Sequence, residues 1–372
     1  MGVPTADRPV RWRRALLLGA LAPLAWGLLH LARLDPDATE RWYSRGLYRR
    51  VQVAQAWLHG WCPVSLSEVL LVLVAGWMMW RICRASRQVR RGVRTWRNLL
   101  GHAAGWTLSV VGIVAMAFQL LWGLNHARPK LADLHGLDVR PVQTEELRSL
   151  VWALHADAQL DRPPNTLLGA IAHVLAWDQA TADEALSEAW LRAGTQHPYL
   201  EGPVVGVRGA LGSRLLTWFG VSGIYSPFTG EPHVNTEMPR LAQPFTTCHE
   251  IAHQRGIARE DEANFVAWIV CNQSSEPYHR YSGNLLALSY ALVAWYREHP
   301  ELVRSEVRRM QPEVRKDLLL LWDFWDERRT TLTEVANETN DLFLKGQGQE
   351  LGSRSYGRMV DLLIAWRRRP AE

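Results

Sequence analysis

The chain has 372 residues, 48% of them hydrophobic and 21% charged, which excludes a largely disordered protein. With 27 Gly and 19 Pro it is not collagen-like or low-complexity, and four cysteines without a C-x-x-C pair make no disulfide scaffold. The net charge of +5 is uneven: residues 1–100 hold 16 Arg against 5 acids, giving +11, so the remaining 272 residues carry −6.

The basic charge lies beside apolar runs, a pattern that points to a lipid bilayer and not to nucleic acid. Three apolar segments, residues 15–32, 64–80 and 98–127, approach or exceed the roughly 20 residues that a bilayer core demands and predict membrane helices near 15–32, 64–83 and 99–124. The first follows Arg11, Arg13 and Arg14. It is long for the apolar region of a cleaved signal peptide, and no clean small-x-small cleavage site follows it. Between the second and third stand Arg81, Arg84, Arg87, Arg90, Arg91, Arg94 and Arg97. Basic loops stay on the cytoplasmic side, so the sequence predicts a multi-pass protein of the cell membrane with a cytoplasmic N-terminus. Residues 1–127 form the membrane region in this reading, and residues 128–372 an extracytoplasmic domain.

That second part reads as mainly helical. Thr144 is a candidate cap for a helix that begins Glu145-Glu146 and carries Leu147, Leu150, Val151 and Leu154 on one face. Thr181 and Glu184 form a capping-box pair, and His173 and Trp177 read as core or interface residues. The stretch 202–230 is rich in Gly and β-formers, and Ser226-Pro227-Phe228-Thr229-Gly230 signals a turn. A short strand is expected at residues 233–238, its edge a candidate site for an extended peptide. Residues 285–296 are apolar but too few to span a bilayer, so they predict a core helix. Arg367-Arg368-Arg369 reads as a solvated tail.

The chemistry concentrates at Thr246-Thr247-Cys248-His249-Glu250-Ile251-Ala252-His253, which contains H-E-x-x-H. On a helix, His249 and His253 share a face and can bind one metal, while Glu250 beside them can take a proton from a water that the metal activates. The donor set suits one Zn²⁺. Arg259 occupies the position where a metzincin carries its third histidine, and an arginine is no ligand. Gly256 can end the first helix, and Glu260-Asp261-Glu262 suits the first turn of the next, from which a carboxylate could complete a His₂Glu set. Cys248 and Cys271 flank the two motif helices and read either as buried thiols or as a disulfide pair. Tyr225 and the cluster Tyr278, His279, Arg280, Tyr281 are weaker candidates for stabilising an oxyanion.

The segment HEIAHQRGIAREDEANFVAW resembles the core of DUF3810, a family of bacterial multi-pass membrane proteins, and that likeness extends over most of the chain. Over about 20 residues it also resembles the gluzincin zinc metallopeptidases, in which a second helix with a Glu-Ala-Asn motif supplies the third ligand. The resemblance implies a zincin-like domain, mostly helical with a small β-sheet. It implies metal ligands His249, His253 and Glu262, with Glu260 as the fallback, Glu250 as the catalytic base, and Asn264 or Asp261 behind the ligands. The function expected is that of a membrane-anchored zinc peptidase acting on a peptide or protein, such as a cell-envelope component. The alternative is a non-catalytic binding or scaffold protein that retains the fold.

Overall fold

In the computed structural model, residues 12–92, 95–164, 184–203, 206–347 and 358–369 are described. Arg11, Arg94, His173, Trp177 and Thr181 lie outside the described residues. The described residues are 76% helical and include one three-stranded sheet, so the fold is mainly α. It divides into two compact units.

The first unit contains residues 1–51, 58–128 and 227–229. Three helices follow from its apolar runs: α1 (Trp12–Leu34), and beyond α2 (Tyr48–Trp61), α3 (Leu66–Arg90) and α4 (Trp96–Leu121). Ser65 and Thr95 cap α3 and α4, their side chains accepting the N–H groups of Glu68 and Asn98. Each of α1, α3 and α4 is long and apolar enough to cross a membrane. None of the most apolar window of α3 is buried, and Leu71, Val72 and Leu73 are all exposed. Between α1 and α2, Glu40 makes a buried two-point ion pair with Arg128 at 2.6 and 2.9 Å.

The second unit contains residues 52–57, 129–226 and 230–372. The predicted apolar face builds α5 (Thr144–Asp161), which buries Leu147, Leu150, Val151 and Leu154. Its cap is one residue earlier than the sequence suggests. Gln143 is the boundary residue, and its N–H donates to Glu146 Oε2 at 3.1 Å. Next come α6 (Glu184–Gln196), β1 (Arg208–Gly209), α7 (Ser213–Trp218), β2 (Gly223–Ser226) and β3 (Glu231–Val234). The strands order as β1-β3-β2, with β1 parallel and β2 antiparallel to β3. The expected strand at 233–238 therefore begins two residues earlier and ends at Val234. It is the central strand, so it offers no edge to a peptide. The partner that covers it, β1, lies in the β-rich stretch 202–230, whose composition signals strands but not which of them pair.

The helices α8 (Gln243–Gln254) and α9 (Glu260–Asn272) carry the motif, and α10 (Pro277–Tyr296) packs against both. The core helix expected at 285–296 is the second half of α10, with Leu285, Leu288, Leu292 and Trp295 buried. Three helices follow: α11 (Pro300–Arg309), α12 (Pro312–Glu327) and α13 (Thr331–Gly346). The last, α14 (Met359–Arg367), packs on α5, α9 and α10. The C-terminal arginines are no free tail: Arg368 pairs with Glu146 at 2.7 Å, and the Arg369 guanidinium lies over the Trp366 ring.

Candidate metal centre

Helix α8 is no surface helix. Eleven of its twelve residues are buried, and the twelfth is His249. It ends at Gln254, and Gly256, at φ 80°, takes the left-handed turn that lets the chain reverse into α9. The turn brings the first residue of α9 back to the histidines. Glu260 Oε2 lies 3.3 Å from His249 Nε2 and 3.6 Å from His253 Nε2. One donor atom from each of the three residues falls within 4.8 Å of the others. Bonds of about 2.0–2.1 Å at tetrahedral angles hold ligand atoms roughly 3.3 Å apart. The three side chains thus match one face of a small tetrahedral site.

The hydrogen bonds behind the imidazoles set their tautomers. His249 Nδ1 donates to Asn264 Oδ1 at 2.8 Å, and His253 Nδ1 donates to the Ile257 carbonyl at 2.8 Å. Both acceptors require a proton on Nδ1, which leaves the Nε2 lone pair facing the cluster, free to bind a cation. Burial opposes a charge on His253, but the Glu260 carboxylate outweighs it and raises the imidazole to about 9. Burial likewise works against ionised Glu260, yet His253 and His249 hold it well below the usual carboxylate range. This exchange of charge is what a cation would take over.

Glu250 is buried beside the three. Burial lifts it, against the pull of His249 and His253, to about 6. Its Oε2 has no hydrogen-bond partner among the described residues. A buried carboxylate oxygen without a donor is costly and calls for a ligand, water or cation. The sheet presses on this side chain from the other side. A Cβ at Gly223 would stand 2.5 Å from Glu250 Oε1 and 2.8 Å from its Cγ. Gly223→Ala should therefore destabilise the protein by about 1–3 kcal/mol, seen as a lower urea midpoint at unchanged slope. An unchanged midpoint would mean that Glu250 is not confined there.

The structure does not bring Glu262 into the cluster. Its Oε1 accepts the Leu131 N–H at 2.9 Å and lies 3.3 Å from Arg259 Nη1. The physical reason is helical geometry. Residues two apart point to different sides, so Glu260 faces α8 while Glu262 faces Leu131. Arg259 thus holds the very carboxylate that the Glu-Ala-Asn comparison offered as a ligand. Asp261 also stays out of the cluster; burial, then the Glu262 charge, raises it to about 7. Of the two residues expected behind the ligands, Asn264 is the one in place.

The other candidates have structural partners. Tyr278 donates to the Arg240 carbonyl, His279 pairs with Ser274, Arg280 with Asp161, and Tyr281 with Asp317. Tyr225 is buried on β2, across from Pro232. Tyr290, on α10, carries no signal in the sequence. It lies near Glu260 and Asn264, and burial and the Glu260 carboxylate push its phenol to about 12. Its ring lies tilted beside that of Phe245, and in sequence it looks like one more core position of an apolar helix. Cys248 and Cys271 are both buried, with Sγ atoms 3.7 Å apart.

A family model described as "Protein of unknown function (DUF3810)" matches residues 43–364. No curated protein and no solved structure matches. The family match spans most of the chain, which accordingly belongs to the DUF3810 family.

Proposed function

We propose that this DUF3810 protein is a membrane-anchored metallohydrolase, and more specifically a zinc peptidase, with His249, His253 and Glu260 as its metal ligands. One observation carries the reading: two imidazole Nε2 atoms and a carboxylate oxygen stand at tetrahedral spacing beside a buried, unpartnered Glu250 oxygen. Two nitrogens and one oxygen suit Zn²⁺ and leave a fourth position for water or substrate. A bound zinc would acidify water and polarise a carbonyl.

The chain's own residues do the rest. Glu250, poised near neutrality by burial, accepts a proton at Oε2 and can return it to a leaving amine. Asn264 and the Ile257 carbonyl hold the imidazoles in the ligating tautomer. With β3 enclosed, the outer strand nearest Glu250 is β2, alongside which an extended peptide could lie. The seven arginines from Arg81 to Arg97 favour a cytoplasmic loop between α3 and α4. Three crossings then place the second unit outside the cell membrane, facing peptide or envelope substrates.

The test uses the full-length protein in detergent with a diverse peptide library as substrate. About one zinc per chain is expected, with cleavage abolished by a chelator and restored by Zn²⁺. Metal without cleavage would favour the non-catalytic binding protein. A folded protein without metal would sink the hydrolase reading altogether.

A further inference from the structure

We propose that Cys248 and Cys271 are joined as a disulfide that fastens α8 to α9 behind the metal-ligand side chains. Cys248 immediately precedes His249. Cys271 lies seven residues beyond Asn264 and eleven beyond Glu260, so all three share the face of α9 that meets α8. The two Sγ atoms are 3.7 Å apart, and both side chains are fully buried. A disulfide holds its sulfurs at about 2.05 Å, so closing the gap takes less than 2 Å of side-chain motion. The surroundings hold the pair in place: a Cβ at Gly283 of α10 would stand only 2.6 Å from Cys271 Cβ.

Burial also says when the bond forms. Both thiols are fully enclosed in the folded protein, where no oxidant reaches them. Oxidation accordingly accompanies folding, outside the membrane, by exchange with a disulfide-bearing oxidant. One cysteine thiolate attacks the donor disulfide, forming a mixed disulfide and releasing one donor thiolate. The second cysteine then attacks the cysteine sulfur of that mixed disulfide and releases the other donor thiolate. The pair loses two electrons, and the donor gains them. The bond limits how far the helix bearing His249 and His253 can move from the helix bearing Glu260.

This inference rests on the outward topology proposed above. The test is differential alkylation of the full-length protein in cells. Thiols are blocked with light N-ethylmaleimide in denaturant, then reduced, labelled with the heavy reagent and mapped by peptide mass. Cys248 and Cys271 should carry the heavy label, while Cys83, at the basic end of α3, carries the light one. A Leu211→Cys variant, at a position 88% exposed, reports topology through an impermeant maleimide applied to intact cells. Light label on Cys248 and Cys271 in cells where that variant reacts would overturn the disulfide. A Leu211→Cys variant out of reach of the reagent would remove the oxidising environment and overturn it as well. Metal content of the same wild-type preparation is independent of both results and judges the hydrolase reading separately.

Discussion

Glu260→Ala should lose its divalent metal, whereas Glu262→Ala should keep it and lose stability instead. In the first variant one of the three proposed ligands disappears. Losing a residue that merely supports a ligand costs about 10–100-fold in metal affinity, so losing the ligand itself should exceed that. In the second, the Leu131 N–H loses its buried acceptor and Arg259 its ion-pair partner. A stranded buried donor costs about 1–3 kcal/mol. Metal per chain by mass spectrometry and the urea midpoint separate the two variants. The reverse pattern, with metal lost from Glu262→Ala and kept by Glu260→Ala, would make Glu262 the ligand.

Glu260 and His253 together set a pH dependence. In the metal-free protein His253 is raised from 6.5 to about 9 by Glu260. Its contribution to stability is complete below about 6.5 and is lost as pH rises through about 9. The depressed Glu260 contributes above its ordinary range, and that contribution is lost as pH falls. A metal must displace the His253 proton, so its apparent affinity should climb about tenfold per pH unit up to roughly 9 and then level.

How much of this could be read from sequence depends on how local the cause is. The apolar runs behind α1, α3 and α4 are local, as are the glycine that ends α8 and the acids that open α9. Each is found where the sequence places it. The choice between Glu260 and Glu262 was also legible in principle. If Asn264 supports a histidine, the carboxylate four residues before it shares its face, and the one two residues before it does not. The gluzincin resemblance pointed to the Glu-Ala-Asn triplet, whose Glu262 carboxylate faces Leu131 and Arg259 and not the histidines. Other features are set by distant chain and leave no local mark. Residue Arg208 must arrive beside His233 before β3 becomes a central strand, and α10 must pack in before the Tyr290 phenol stands near Glu260. Segment 52–57, from the connection between the first two apolar helices, groups with the second unit, where the Gln52 side chain donates to the Gln254 carbonyl. Nothing in its composition announces that contact.

Glu250→Gln should separate activity from stability in opposite directions. The amide keeps the shape of the side chain against Gly223 and leaves the three ligands untouched, so metal content should not change. It cannot take a proton, and removing a general base lowers turnover by about 10²–10⁴-fold. In the wild type the rate should fall as pH drops through or below about 6, where Glu250 becomes protonated; a bound cation shifts that limb downward. The stability argument has the other sign. A carboxylate raised from 4.5 to about 6 binds its proton more tightly folded than unfolded, so the metal-free protein loses stability as pH rises across that interval. The loss is on the order of 2 kcal/mol at neutral pH, because a tenfold difference in proton affinity is worth about 1.4 kcal/mol. Glu250→Gln relieves it, and the metal-free variant should unfold at a higher urea concentration than wild type at pH 7.5 but not at pH 4.5. A residue kept only for packing would not combine a gain in stability with a loss of turnover. Equal turnover in the variant and the wild type would remove Glu250 from the chemistry, whatever metal the site holds.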